Sequence, residues 1–361
     1  MTYLLLHPEE IQDLVSMAEA IEAIEKGYAG GHEFPVINAP RRRVHSPAGV
    51  RISNFPGGVH GMGVIGAAVR AERVVQDGDN QHYAFREHPV HVLNDSNTGE
   101  LLSIVIGEPV EKTLGYTSLV ALRTAATSGV GFKYMVRENA ETVGLFGSAG
   151  QAANQLLALK CTRPNIRWVR VYSRDPENRK AFANKYGPQF ELDISPVSSV
   201  EEVIKGADVV LCATSTNVEL FDGDLLEPGQ HVTGIIGGNI QLVEGGFRKK
   251  VRREIDNRTV ERADVVVTNL LESVISEKQG DLYEPIEQGI IAIEDIAELG
   301  ELALGLKKGR NNESEITYHK NNNGTAAAEI AIAMLVYEKA KAAGRGAEID
   351  LISAEELNKQ D

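Results

Sequence analysis

The sequence predicts an α/β protein in which a Rossmann-type doubly wound parallel sheet is joined to a β-rich α+β domain. Three observations carry that prediction. From residue 142 onward, short apolar runs alternate with helical stretches, the pattern of parallel strands with crossover helices. The first of these runs ends in a turn of small residues, GLFGSAGQA, that opens a helix. Before it, residues 41–106 hold β-rich segments broken by Gly, Asn and Asp.

In chain order, residues 8–28 place Ile11, Leu14, Val15, Ala18, Ile21 and Ile24 at helical spacing, which predicts one amphipathic helix packed on a sheet. A loop should follow at Gly30-Gly31. The runs VRISNF, GVIGAAV, HPVHVLND and LLSIVIG predict an antiparallel or mixed sheet. A helix is expected from Ser118 through Tyr134, then the strand TVGLFG and a helix from Gly150 to Lys160. The later strands WVRVYS, DVVLCA, HVTGII and DVVVTN are nearly continuous in apolar character, as strands covered on both faces are. Asp175 before Pro176 reads as an N-cap with proline in the first turn, and Ser199 with Glu202 as a capping box. A last amphipathic helix, Gly324 to Ala343, should return to the first domain. That divides the chain into a β-rich substrate-binding and dimerisation domain, residues 1–122 plus 322–361, and a dinucleotide-binding domain, residues 123–321.

Composition narrows the functional classes. The chain has 361 residues, 42% hydrophobic and 24% charged, enough for two domains that each bury a core without staples. A net charge of -14 argues against phosphate backbones and anionic lipid as partners, because both repel an acidic surface. The two cysteines, Cys161 and Cys212, have no metal-ligand spacing, so we expect buried apolar filler, a reducing compartment and no structural zinc. The start, MTYLLLHPEE, lacks a basic region and a long apolar run, and the expected location is cytoplasmic.

The turn after the first parallel strand carries the cofactor reading. Gly147, Ala149 and Ala152 fall in the frame of the G-x-G-x-x-G/A fingerprint: a small first residue lets the chain turn, a small second lets a pyrophosphate approach, and a small third lets helix and strand pack. Ser148, Gly150 and Gln151 complete the turn, and the helix start offers N–H groups to phosphate. A tight strand-to-helix turn without a ligand is the plain alternative. At the end of the second strand Ser173 stands where an acid would bind a ribose hydroxyl, and Arg174 follows. NADP(H) is therefore the preferred cofactor and NAD(H) the alternative, with Asp175 either capping the next helix or turning inward to favour NAD. Thr214, Ser215 and Gly237 follow later strands, at the edge where open α/β sheets bind ligands.

The stretch RTAATSGVGFKYMVRENAETVGLFGSAGQAANQLLAL resembles the ornithine cyclodeaminase/mu-crystallin family. TGELLSIVIGE before it, and IIGGN and IEDIAELGELALGLKKGR after it, resemble family segments in the same order, so the likeness covers most of residues 40–345. It implies a homodimer joined through the β-rich domain, a nicotinamide cofactor, and hydride exchange at the α-carbon of an amino acid or its imine. Arginines suit the α-carboxylate because their donors are paired in one plane. Counting back from Phe55-Pro56 puts Arg42 at the family's substrate-carboxylate arginine. Arg123, with Thr124 beside it, matches a second arginine near substrate and cofactor phosphates.

Two departures from the family are informative. The catalytic lysine of the family aligns with Ala68 and the aspartate of the loop after the fourth strand with Asn239; neither replacement can accept a proton there. Arg70 lies two residues on from Ala68, on the same strand face, and suits an anion better than a proton. The segment 74–90 also differs from the family and carries His82, Tyr83, Arg86 and His88. The expected function is an NAD(P)H-dependent oxidoreductase on the C–N bond of an amino acid or imino acid. Arg42, Arg70 and Arg123 would clamp anionic groups, hinting at more than one acid on the substrate, and Asn239 would orient the reacting nitrogen. A cofactor-binding protein without turnover and a cyclodeaminase with relocated acid–base groups remain the alternatives.

Overall fold

The computed structural model describes residues 2–30, 36–77, 80–107, 118–246, 248–322 and 324–350. Its first sheet is built from β1 (Thr2–Leu6), β2 (Ile37–Asn38), β3 (Arg42–His45), β4 (Val50–Val59), β5 (Val64–Asp77), β6 (Asn80–Arg86), β7 (Val90–Asp95) and β8 (Leu101–Ile106). The second contains β9 (Thr142–Phe146), β10 (Trp168–Tyr172), β11 (Asp193–Pro196), β12 (Val209–Cys212), β13 (His231–Gly234), β14 (Val265–Thr268), β15 (Ile296–Glu298) and β16 (Thr317–Lys320). A final strand, β17 (Ala347–Asp350), returns to pair with β1.

The first sheet runs β17-β1-β8-β7-β5-β4-β2, with β3 on β4 and β6 on β5. It is mixed, because β1 lies parallel to β8 while the other pairs are antiparallel. The second sheet is parallel throughout, in the order β11-β10-β9-β12-β13-β16-β14-β15. Its chain order reverses between β9 and β12, the place where an open α/β sheet leaves a crevice for a ligand. Two crossovers are punctuated as the sequence implies: Asp175 accepts from the Glu177 N–H at 2.9 Å, and Ser199 and Glu202 cap one another's backbone.

The helix Ala326–Ala342 covers the first sheet, packing on β4, β5 and β7. Its sequence predicts an amphipathic helix, but it is buried on nearly every side, because the helix Met17–Ala29 packs on it as well. That arrangement corrects the N-terminal expectation as well. Residues 8–28 form two helices, Pro8–Ile11 and Met17–Ala29, broken where Asp13 takes a left-handed φ of 58° and Ser16 starts a new capping box with Glu19. The longer one packs mainly on the helices Leu119–Met135 and Ala326–Ala342 instead of on a sheet.

The strand β16 is not among the expected ones: TYHK holds the β-favouring Thr and Tyr but lacks the apolar run that marks the others. All four residues are buried, and three of them find partners inside: Thr317 with His231 at 2.8 Å, His319 with Asn269 at 3.0 Å, and Lys320 with Asp281 at 2.6 Å, while the Tyr318 hydroxyl and His319 Nδ1 have none. Cys212 is buried as expected, whereas Cys161, at the end of its helix, is exposed. Among the described residues no helix is long and apolar enough to cross a membrane.

Candidate functional site

A cavity of about 980 Å³ lies between the two sheets. One wall is the carboxyl edge of the parallel sheet: Gln151 after β9, Arg174 after β10, Thr214 and Ser215 after β12, and Gly237 after β13. The other is one face of β3, β4 and β5. Strand alternation sends Arg41 and Arg43 to this face, with Arg51, Ser53 and Phe55 from β4 and Arg70 and Glu72 from β5.

At the parallel edge, Gly147 has φ +113°, and a Cβ there would lie 2.3 Å from the carbonyl oxygen of Ala213. Only glycine fits. Ala149 is the N-cap of the 13-residue helix Gly150–Thr162 and supplies no side-chain acceptor, which leaves the first-turn N–H groups without a side-chain cap. Gln151 turns a buried Oε1 without a partner beside them. Ala152 is fully buried and lets the helix close on the strand. The turn is tied to the next strand end, since Ser148 Oγ donates to Ser173 Oγ at 3.0 Å and Ser173 Oγ to the Asp175 carbonyl at 3.1 Å. Asp175 is occupied as a helix cap, and Arg174 is exposed on the cavity wall. A small-residue turn, an uncapped helix start and a strand-end arginine form a donor set that fits a nicotinamide dinucleotide.

Beneath Thr214 lies a buried charged group. Glu254 accepts from the Ile236 N–H at 2.6 Å and from Thr214 Oγ1 at 3.5 Å, while Lys320 donates to Asp281 at 2.6 Å and to the Ile236 carbonyl at 2.8 Å. Burial, reinforced by Asp281 and opposed by Lys320, pushes the Glu254 carboxyl up to about 8.

On the sheet wall three carboxylates engage the arginines. Glu277 takes Arg41 through two hydrogen bonds, one of 2.9 Å from Nε. Glu72 takes Arg51. Glu329, inside the buried helix, takes Arg70 and, at 2.7 Å, Arg123, with His91 at 3.5 Å from its other oxygen. Burial alone would raise the Glu329 carboxyl, but Arg123 and Arg70 outweigh it and hold it far below the usual carboxylate range. The Arg70 guanidinium also lies 5.1 Å from the centre of the Phe55 ring.

Several expected site residues are not in the cavity wall. Arg42 is exposed on the opposite face of β3, so the arginine on the cavity side is one residue away in either direction. Arg123 is entirely buried against Glu329, and Thr124 donates to the Val120 carbonyl of its own helix at 2.8 Å. Asn239 is buried, its Oδ1 capping the Gln241 N–H at 2.8 Å. Arg70, Gln151, Arg174, Thr214, Ser215 and Gly237 do line the cavity. Arg43 and Arg51 line the cavity without having been expected there, as do Arg248 and Arg252, which hold the loop after β12 through Asn217 and Thr216. The alternation R-x-S-x-F in VRISNF was a usable signal for Arg51; RRR alone leaves the face ambiguous. Arg86 and His88 reach the cavity rim, and the side chains of His82 and Tyr83 lie outside the described residues.

Comparison with known proteins agrees with this architecture. The chain is 31% identical over 260 residues to a Delta(1)-pyrroline-2-carboxylate reductase of Bacillus cereus, covering 72% of this chain and 73% of that protein. The structure of the Thermococcus litoralis Delta(1)-pyrroline-2-carboxylate reductase, in complex with NADH and L-proline, superposes with a TM-score of 0.79 at 28% identity, covering 96% of this chain and all of that one. An archaeal alanine dehydrogenase dimer with bound NAD gives 0.79 at 25% identity over 98% of this chain and 100% of that one. The family model for the ornithine cyclodeaminase/mu-crystallin family matches residues 2–344, and the chain belongs to that family.

Proposed function

We propose that this chain is an NAD(P)H-dependent oxidoreductase acting on the C–N bond of an amino acid or imino acid. The observation that carries the reading is the cavity itself, which sets a dinucleotide-type turn on one wall against arginines on the other. The activities named for the relatives, pyrroline-carboxylate reduction and alanine dehydrogenation, support the same bond and the same cofactor class.

When bound, the nicotinamide supplies or takes a hydride at the substrate α-carbon. The chain's own residues bind and orient. The first turn of the helix Gly150–Thr162, with Gln151, receives the phosphates, and Arg174 receives a 2′-phosphate. The capping role of Asp175 supports NADP(H) over NAD(H), because that carboxylate is spent on the Glu177 N–H. Arg70 binds the α-carboxylate, with Phe55 supporting its guanidinium. Glu329 and Arg123 act through Arg70 as positioning residues. We further propose the division into residues 1–122 with 322–361 and residues 123–321. A homodimer through the outer face of the first sheet is part of this reading, since Val44 and its cross-strand neighbour Ile52 are 65% and 40% exposed there.

The test is incubation of purified protein with NADPH and a panel of cyclic and acyclic imino acids, and in parallel with NAD and ornithine. Consumption of NADPH is the expected result. Ammonia release without net cofactor change would identify a cyclodeaminase, and cofactor binding with neither reaction a binding protein.

A further inference from the structure

One row of the sheet wall is short of acceptors. Arg43, Ser53 and Arg70 are register partners across β3, β4 and β5, so their side chains leave the sheet side by side on the cavity face. Two arginines separated by one strand are about 10 Å apart at the backbone. Arg70 has Glu329 behind it, yet its Nε is buried without a partner. Arg43 has less: its Nε and Nη1 are both buried without a hydrogen-bond partner. The carboxylates that act on it, Glu277 and Glu72, are engaged by Arg41 and Arg51. Burial, then repulsion from Arg41 and Arg51, brings the Arg43 guanidinium down to about 9. Arg43 is half-buried, and leaving two of its buried donors unpaired beside other guanidiniums is costly; a ligand anion lowers that cost.

Building on the oxidoreductase reading, we propose that the substrate is an imino acid carrying a second carboxylate, which Arg43 holds while Arg70 holds the α-carboxylate. The bond chemistry is unchanged: the imine carbon gains a hydride, its nitrogen gains a proton from solvent, and the reduced cofactor is oxidised. Ser53, between the two arginines and buried, donates a hydroxyl to whichever carboxylate approaches it. The two anions lie along one row of the sheet, which suits a short-chain diacid lying across the strands.

The experiment compares oxidation of the reduced cofactor with ammonium plus oxaloacetate or 2-oxoglutarate, which supply dicarboxylic imines, against ammonium plus pyruvate or glyoxylate and against Delta(1)-pyrroline-2-carboxylate. Wild type should favour a dicarboxylic imine by at least about ten-fold in kcat/KM, and Arg43→Met should reduce that preference by about ten-fold, chiefly through KM. The ligand-free melting temperature of Arg43→Met should equal or exceed that of wild type, since no native partner is lost; a fall of several degrees would assign Arg43 a structural role and overturn the proposal. A monocarboxylic imine preferred by wild type, or equal losses on both classes in Arg43→Met, would overturn it while leaving the oxidoreductase reading intact. Absence of turnover with every imine would remove both.

Discussion

Ala68 and His91 stand directly opposite one another in β5 and β7, both buried. The position at which the family resemblance implies a lysine is packed against Phe55 and Ala326, and Arg41 and Arg70 both lie within 6 Å of the Phe55 ring centre, at 5.7 and 5.1 Å. A lysine introduced there would bury an ammonium in an apolar contact beside two guanidiniums. We expect Ala68→Lys to cost about 3 kcal/mol of stability and to bring no gain in turnover. Urea unfolding and steady-state kinetics check this; faster turnover would mean that the site still accommodates the family's acid–base lysine.

The turn at Gly147 tolerates no side chain. Gly147→Ala combines an unfavourable positive φ with a Cβ 2.3 Å from the Ala213 carbonyl. Binding of the reduced nicotinamide cofactor should weaken by more than about ten-fold, a loss of at least roughly 1.4 kcal/mol. Fluorescence titration with NADPH and NADH measures it, and unaltered affinity would exclude this turn from the cofactor site.

Cofactor choice turns on Arg174. Replacing it with alanine should weaken NADPH by about 1.5–3 kcal/mol, the worth of hydrogen bonds to a charged group, and change NADH little. Equal affinity losses for both cofactors would place the side chain elsewhere than at a 2′-phosphate.

Glu329 neutralises two guanidiniums in the interior. In Glu329→Gln, Arg70 and Arg123 lose their shared carboxylate, and a buried charge stripped of its partner costs roughly 3–5 kcal/mol. A melting curve close to wild type would show that this cluster relaxes or gains water.

Glu254 predicts a pH dependence of stability. Its folded carboxyl titrates at about 8 against a reference of 4.5, so between those values the folded state binds the proton that the unfolded state has released. Stability from this group is fully present below the unfolded value and is lost as pH rises through about 8. Between pH 6 and 8.5 wild type should therefore lose more melting temperature than Glu254→Gln, which keeps an acceptor for the Ile236 N–H. Parallel pH slopes would contradict the assignment.

Local events are legible in the residues alone. The α/β class, the strands β9, β10, β12, β13 and β14, the Asp175 and Ser199 caps and the Gly147 turn follow from apolar periodicity, capping chemistry and the steric demands of a single residue, all of which act over a few positions. The tertiary structure alone decided which face of β3 meets the cavity, because a one-residue choice among Arg41, Arg42 and Arg43 inverts every side chain and only pairing with β4 sets the register. It also decided that polar residues such as those of β16 are core, since their partners come from distant strands and loops. The pairing of Arg123 was out of reach for the same reason: its partner, Glu329, lies some two hundred residues away in sequence and comes within reach only when the last helix folds back.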